Sequence, residues 1–293
     1  ENACSSSSSA FHQAHMAVAS GAYDVALVFG VDKLSQFGGG TIPLVDEDWE
    51  ISQGMLMPAL YAMRACRYMH ETGLTTEQLA GVSVKARAMG AHNPDAQFQK
   101  EISLEEVMNA RPIADPFTLL HCCPTGDGAA AAVICAGDVA HKFEAAPIKI
   151  LASDLCTGTY LTGYRDMTVP EITVRGASEA YEEAGVGPED VDVAEIYDCF
   201  TYSVVAQLEG LGFCLPGEGP DFIQGGRIAR DGALPLNTHG GLLSEAYIHG
   251  LNHVVEAVDQ LRGDAGPRQI PGAEIALTTA GAMTVGSALV LRN

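Results

Sequence analysis

Behind a serine-rich start, apolar residues from Ser5 to Ala19 recur at helical spacing and predict a helix whose N-terminus lies just behind Cys4. The run YDVALVFGV, Tyr23 to Val31, has the length and β-branched content of a buried strand. A stretch with Gly38, Gly39, Gly40 and Pro43 interrupts the pattern. Helical periodicity returns over Met55–Glu71 and Thr76–Met89, the second opened by Thr75-Thr76-Glu77. Residues 90–125 are irregular and Pro-containing, with a short helix near Ser103–Asn109, so 40–125 reads as an excursion from the main sheet. After Gly126-Asp127-Gly128, the run AAAAVICAG is Ala-rich like a helix but ends in Val-Ile-Cys, and we read it as a strand. Ile148–Ser153 predicts a strand, Val169–Ala184 an amphipathic helix ending at Gly185, Val193–Tyr197 a short strand and Phe200–Gly210 a helix. Ser244–Arg262 predicts one long helix, and Glu274–Ala280 and Gly286–Arg292 two closing strands around a small-residue turn. Strands alternating with helices indicate an α/β fold with a mixed or parallel sheet. The chain divides near Ala146-Pro147 into 1–146 and 147–293, each with strand–helix units but no visible sequence repeat.

With 293 residues, 47% of them hydrophobic, the chain can bury one large or two medium cores. Charged residues make up only 18%, which excludes a disordered or coiled-coil chain. A net charge of −21 without any Lys/Arg cluster excludes nucleic acid as a partner, though not a local basic pocket. No apolar run reaches the ~18 residues of a membrane span, and no signal-peptide pattern is present. Eight cysteines at irregular spacing contain no C-x-x-C pair, so neither a zinc site nor a disulfide framework is expected. Free thiols fit a reducing, cytoplasmic compartment.

Four segments could carry chemistry. Cys4 sits where unpaired helix N–H groups and the helix dipole would lower a thiol pKa, although a buried structural thiol is the simpler account of a lone Cys. Tyr197-Asp198-Cys199-Phe200 lies at a strand C-terminus, where ligand-facing residues collect in α/β sheets; a packed Tyr and a capping Asp would look the same. Asn237-Thr238-His239-Gly240-Gly241 precedes a helix holding Tyr247 and His249, and paired glycines suit either an oxyanion site or a tight loop. The turn Thr278–Met283, with Gly281, suits a turn or a pocket wall. His12 and His15 have helical metal-ligand spacing, but no third ligand can be named, and no metal is expected.

Taken together and in order, these motifs resemble the thiolase superfamily, in particular its sterol-carrier-protein-type branch, over essentially the whole chain. Asn2-Ala3-Cys4-Ser5-Ser6 resembles the nucleophile segment, and Tyr23–Ser35 the strand after it. Arg111–Ala132 resembles the segment ending in the family's D-G-A-A-A run, Glu195–Thr201 (EIYDCFT) its H-D-C-F segment, and Asn237–Gly250 (NTHGGLLSEAYIHG) its N-x-x-G-G and G-H-P-x-G. The resemblance implies a five-layered αβαβα architecture of two related halves, a homodimer, and a chain that lacks roughly the first quarter of such a domain.

The departures concern the site. Tyr197 stands where the family has one catalytic His, Tyr247 where it has the other, and the tail from Ala273 to Asn293 has no Cys. Thiolysis needs a base of pKa near 7 beside the thiol, and a free Tyr titrates at about 10. Tyr at both positions resembles instead the thiolase-like steroid side-chain-cleaving aldolases. That resemblance implies retro-aldol cleavage of a β-hydroxy acyl-CoA to a ketone and a shortened acyl-CoA such as propionyl-CoA. It implies a CoA thioester as substrate with no permanently bound cofactor, and a complex with a small OB-fold, zinc-ribbon-type partner. Tyr197 and Tyr247 are then base and acid in either order. Asn237 and His239, or backbone N–H groups near Gly240, Gly241 and Gly281, would hold the thioester enolate oxygen, and Cys4 would share the pocket. An acyltransferase using Cys4 with His239 or His249, and a non-catalytic lipid-binding or scaffold subunit, are the competing readings.

Overall fold

A computed structural model of the chain describes residues 2–37, 49–158, 166–281 and 285–293. Its elements run α1 (Ser6–Ala19), β1 (Val25–Lys33), α2 (Trp49–Ser52), α3 (Met57–Thr72), α4 (Thr76–Gly90), α5 (Leu104–Met108), β2 (Pro112–Ala114), β3 (Phe117–Thr118) and β4 (Asp127–Cys135). The second half continues with β5 (Lys149–Thr157), α6 (Glu171–Ala184), β6 (Val193–Glu195), α7 (Thr201–Gly210), α8 (Gly219–Phe222), α9 (Gly241–Ser244), α10 (Leu251–Arg262), β7 (Ile275–Ala280) and β8 (Val285–Arg292). The Gly38–Pro43 stretch and the part of the tail turn after Gly281 lie outside the described residues, apart from the strand that follows it.

Two sheets organise the core. β1 and β4 form an antiparallel ribbon in register from Val25 opposite Cys135 to Lys33 opposite Asp127. The larger sheet has the order β5-β8-β7-β6, with β6 parallel to β7 and the other pairs antiparallel. Helices α1 and α10 lie between the sheets, burying Phe11, Val18, Val28, Ile134, Leu251, Val254, Ala276 and Leu289 in one cluster. Helices α6 and α7 cover the other face of the larger sheet through Ala177, Ala180, Val204 and Leu208. The Ala-rich run is a strand, as expected: it pairs with β1 along its whole length, and Ala130 and Ala132 pack against the cluster that includes α10.

The segment 49–121 packs over α7. Tyr61, Ala65 and Tyr68 of α3 meet Phe200, Tyr202 and Val205 in a third buried cluster. A capping box at Thr75 starts α4, in which the Thr75 hydroxyl accepts from the Gln78 amide and the Gln78 side chain accepts from the Thr75 amide.

Two expectations fail. The Tyr23–Val31 run was expected to be a buried strand, but Val25, Leu27, Phe29 and Val31 stand exposed on one face of β1, with Val133 of β4 beside them. Among the described residues, helices cover only the opposite face of that ribbon. The expected single helix over Ser244–Arg262 is instead a short helical turn and α10, broken by an irregular stretch from Glu245 to Gly250. The break has a backbone cause: His249 has φ 50° and Gly250 φ 91°, both in the left-handed region, which no helix propagates.

Candidate active site

The serine-rich start of the chain fixes the site. Ser5 donates its hydroxyl to the Ala280 carbonyl at 2.9 Å, and Ser7 to the Ile248 carbonyl at 2.8 Å. The first turn of α1, which follows Cys4, is thereby pinned to the end of β7 and to the broken stretch that carries Tyr247. Gly30 makes this approach possible, since a Cβ there would lie 2.3 Å from the Ser7 hydroxyl. Ala3, Asn237 and His249, the three described non-glycine residues with positive φ, all fall in the motif segments. Backbone in this costly region gathers where surrounding structure over-determines it.

Tyr197 follows β6. Its amide donates to the Thr279 hydroxyl at 3.0 Å, and its carbonyl accepts from the Gln207 side chain. Tyr247 lies in the break between α9 and α10, so it reaches the pocket from a loop and not from a helix face. The two side chains are 1% and 8% exposed, meet edge to face, and bring their hydroxyls to 2.7 Å. Tyr61 and Cys199 pack in the same buried cluster as the pair, with Cys4 against it. Burial raises the pKa of both Tyr197 and Tyr247 well above the ordinary phenol value, and the neighbouring thiols add to the effect. Without a ligand, the pair is therefore two neutral phenols in a dry setting.

The other predicted residues are placed differently. Asn237 accepts from the Ile196 amide at 2.7 Å and donates to the Ile196 carbonyl at 2.9 Å, so its amide is spent holding its loop to the β6 extension. His239 is fully buried among charged and polar groups: Nδ1 lies 2.9 Å from Glu245, while Nε2 lies 2.9 Å from His253 and 3.2 Å from Glu195. Burial pulls the His239 pKa down, but the Glu245 and Glu195 carboxylates outweigh it and raise it well above the usual imidazole range. Glu245 shows the counterpart: burial pushes it up, yet the His239 charge and hydrogen bonds hold it at about 2. Burial lifts Asp198 to about 6 and drops Lys85 of α4, whose ammonium donates to the Leu236 carbonyl, to about 8. Gly241 has φ 64°, and a Cβ there would stand 2.1 Å from an Asp198 oxygen, so this glycine serves close packing of the two motif loops. Gly240 likewise passes against Gly90 of α4. Gly281, with φ 69°, ends β7 beside the Ser5 anchor. The donor atoms of Glu195, His239 and His253 lie within 4.8 Å of one another, the one fully buried group of described residues that could hold a metal ion. His12 hydrogen-bonds Ser153 at 3.1 Å, which gives it a structural partner.

Sequence reasoning missed several members of this constellation. Tyr61 comes from the excursion and carries no local motif. Glu195, Glu245 and His253 converge on His239 only through the fold, and Asp32 of β1 reaches His249 at 2.7 Å for the same reason.

Residues 1–138 match the model of the thiolase N-terminal domain, and residues 153–293 that of a thiolase C-terminal domain-like family. An acetyl-CoA acetyltransferase of Methanothermobacter thermautotrophicus is 40% identical over 99% of this chain and 78% of its own length. The chain belongs to the thiolase family. The fold expected from the motifs is thus the observed one. A second relative of this thiolase-family chain is the 17-hydroxy-3-oxo-4-pregnene-20-carboxyl-CoA lyase of Mycobacterium tuberculosis, 39% identical over 95% of this chain and 76% of the relative. Among solved structures, an Ltp2-ChsH2(DUF35) aldolase superposes with a TM-score of 0.90 at 36% identity, covering 98% of this chain and 77% of that one. Relatives at this distance thus include an acyl-transfer enzyme and carbon–carbon lyases, and family membership alone does not select between the two reactions.

Proposed function

We propose that the chain is a carbon–carbon lyase that cleaves a β-hydroxy acyl-CoA of a steroid or sterol side chain, bearing a tertiary alcohol, by a retro-aldol reaction. The observation that carries this reading is the buried Tyr197–Tyr247 pair, with hydroxyls 2.7 Å apart at the two positions where the family motif has histidine. One member of the pair, as its phenolate, takes the proton of the substrate hydroxyl. The Cα–Cβ bond breaks, its electron pair passes into the thioester enolate, and Cα takes a proton from the other phenol. The products are a ketone and a shortened acyl-CoA such as propionyl-CoA; no acyl-enzyme and no water are consumed. Low dielectric around the pair strengthens the hydrogen bond between phenol and phenolate. Because Asn237 and His239 are committed to the surrounding framework, backbone N–H groups near Gly240 and Gly281 are the remaining candidates for the enolate oxygen. By likeness to the lyase and the aldolase complex, the working assembly is proposed to be a homodimer bound to a small DUF35-type, OB-fold partner, acting in the cytoplasm.

The second reading, acyl transfer through Cys4, is favoured by the acetyltransferase relative and by the position of Cys4 just before α1, packed against the cluster that holds Tyr247. Incubating the protein and its partner with a tertiary-alcohol β-hydroxy acyl-CoA should release the ketone. Mass spectrometry after incubation with acetyl-CoA should find Cys4 unmodified. A stable acyl adduct on Cys4 without ketone release would favour the transferase instead.

A further inference from the structure

Arg64 sits on α3 one turn beyond Tyr61, so the two side chains leave the same helix face. It is 6% exposed, its Nε has no hydrogen-bond partner, and among the described residues no carboxylate lies within ion-pair distance of it. Removing a guanidinium from water costs several kcal/mol unless an opposite charge compensates it. Tyr61 and Tyr202 both feel the Arg64 charge, which works against the upward push of burial on each phenol. The Tyr61 ring lies 4.6 Å from that of Phe200 and packs in one buried cluster with Cys199, Tyr197 and Tyr247, with Cys4 against it. Within that cluster the Tyr197 and Tyr247 hydroxyls meet at 2.7 Å.

We propose that Tyr61 and Arg64 are positioning residues of this site, the cationic edge of a buried cluster of phenols and thiols that stabilises negative charge on the Tyr197–Tyr247 pair. The proposal rests on the retro-aldol reading, which requires one phenol of the pair to act as a base. Burial works against that requirement by holding both phenols neutral. Arg64 acts on Tyr61 in the opposite direction to burial. When one phenol of the pair is ionised, the Cys199 S–H donates to it, the Tyr61 O–H donates to the Cys199 sulfur, and the guanidinium faces the accumulated negative charge. No proton leaves Cys199 or Tyr61 and no bond between heavy atoms forms. The buried cation and the costly anion compensate one another.

The test compares full-length wild type with Arg64→Gln, Arg64→Lys and Tyr61→Phe. Ketone release from the tertiary-alcohol β-hydroxy acyl-CoA is measured across pH, and phenolate absorbance is titrated without substrate. Arg64→Gln and Tyr61→Phe are expected to move the alkaline-rising limb of kcat up by roughly one pH unit or more, about ten-fold in rate at a fixed pH below it. KM should stay within about two-fold, and Arg64→Lys should restore most of the shift. The first phenolate titration should move in the same direction. An unmoved limb with a uniform loss at every pH, or a Lys variant that behaves like the Gln variant, overturns the proposal. Should wild type release no ketone, the retro-aldol reading fails, and the substrate-free titration still decides the charge arrangement: a shift upholds it and no shift overturns it. If Arg64→Gln does not fold, Tyr61→Phe and Arg64→Lys decide by the same criteria.

Discussion

Tyr247→Phe deletes one hydroxyl and leaves the ring in place. The deletion removes the 2.7 Å bond to Tyr197, while Tyr197 keeps Cys199 in its buried cluster. Leaving a buried hydroxyl short of one partner costs about 1–3 kcal/mol, and the cost falls at the low end here because Cys199 remains. Loss of a general acid or base lowers turnover by roughly 10²–10⁴, or about 3–5 kcal/mol of barrier. The catalytic effect therefore exceeds the structural one several-fold, and the two can be read separately. Urea unfolding of the variant should show a small loss of stability, while ketone release at saturating acyl-CoA should fall by at least about a hundred-fold. Tyr197→Phe should behave alike. Because the hydroxyls act as one unit, the double variant should be scarcely worse than either single one. Single variants that retain turnover within about three-fold of wild type, or losses that multiply in the double variant, would refute the acid–base assignment.

Four further outcomes test the site and its framework. Glu245, held at about 2 against an ordinary 4.5, contributes stability that is complete above its unfolded pKa and is lost as pH falls through the folded value. Glu245→Gln should therefore cost about 3 kcal/mol in urea unfolding at pH 7, with the difference shrinking below about pH 4. The partner His239, raised above its ordinary value, contributes stability that is complete below about pH 6.5 and lost as pH climbs through its folded pKa, so His239→Gln should matter most in mild acid. Gly241→Ala, which drives a Cβ toward an Asp198 oxygen from a positive φ, should lower the melting temperature and cost roughly 1–3 kcal/mol. Cys4→Ala should keep ketone release within about ten-fold of wild type, because a retro-aldol step forms no acyl-enzyme; a loss beyond about a hundred-fold would point to a covalent role for the thiol.

What was legible in the sequence was local. The strand before Tyr197 and the helix after Phe200 announce themselves by period, so Tyr197 was correctly put at a strand end. Tyr247 was put on a helix because Ala246, Tyr247 and Ile248 all tolerate one; the break depends on His249 adopting φ 50°, a conformation that composition does not signal. His239 is expected at the enolate oxygen through the resemblance alone, and the carboxylates beside it, Glu195 and Glu245, come from a strand and a loop that only the fold unites. The excursion between the sheet strands was the least legible part, and the error there was one of kind. Regarded as an insertion, it has no reason to carry buried ionisable groups. In the structure it delivers Tyr61 and Arg64 to the thiol–phenol cluster and Lys85 to the charged framework beneath Asp198. A surface appendage loses free energy by burying a guanidinium and an ammonium, and could do without both. Their burial near phenols and carboxylates follows if the segment is a wall of the site, supplying positive charge there within a chain of net charge −21.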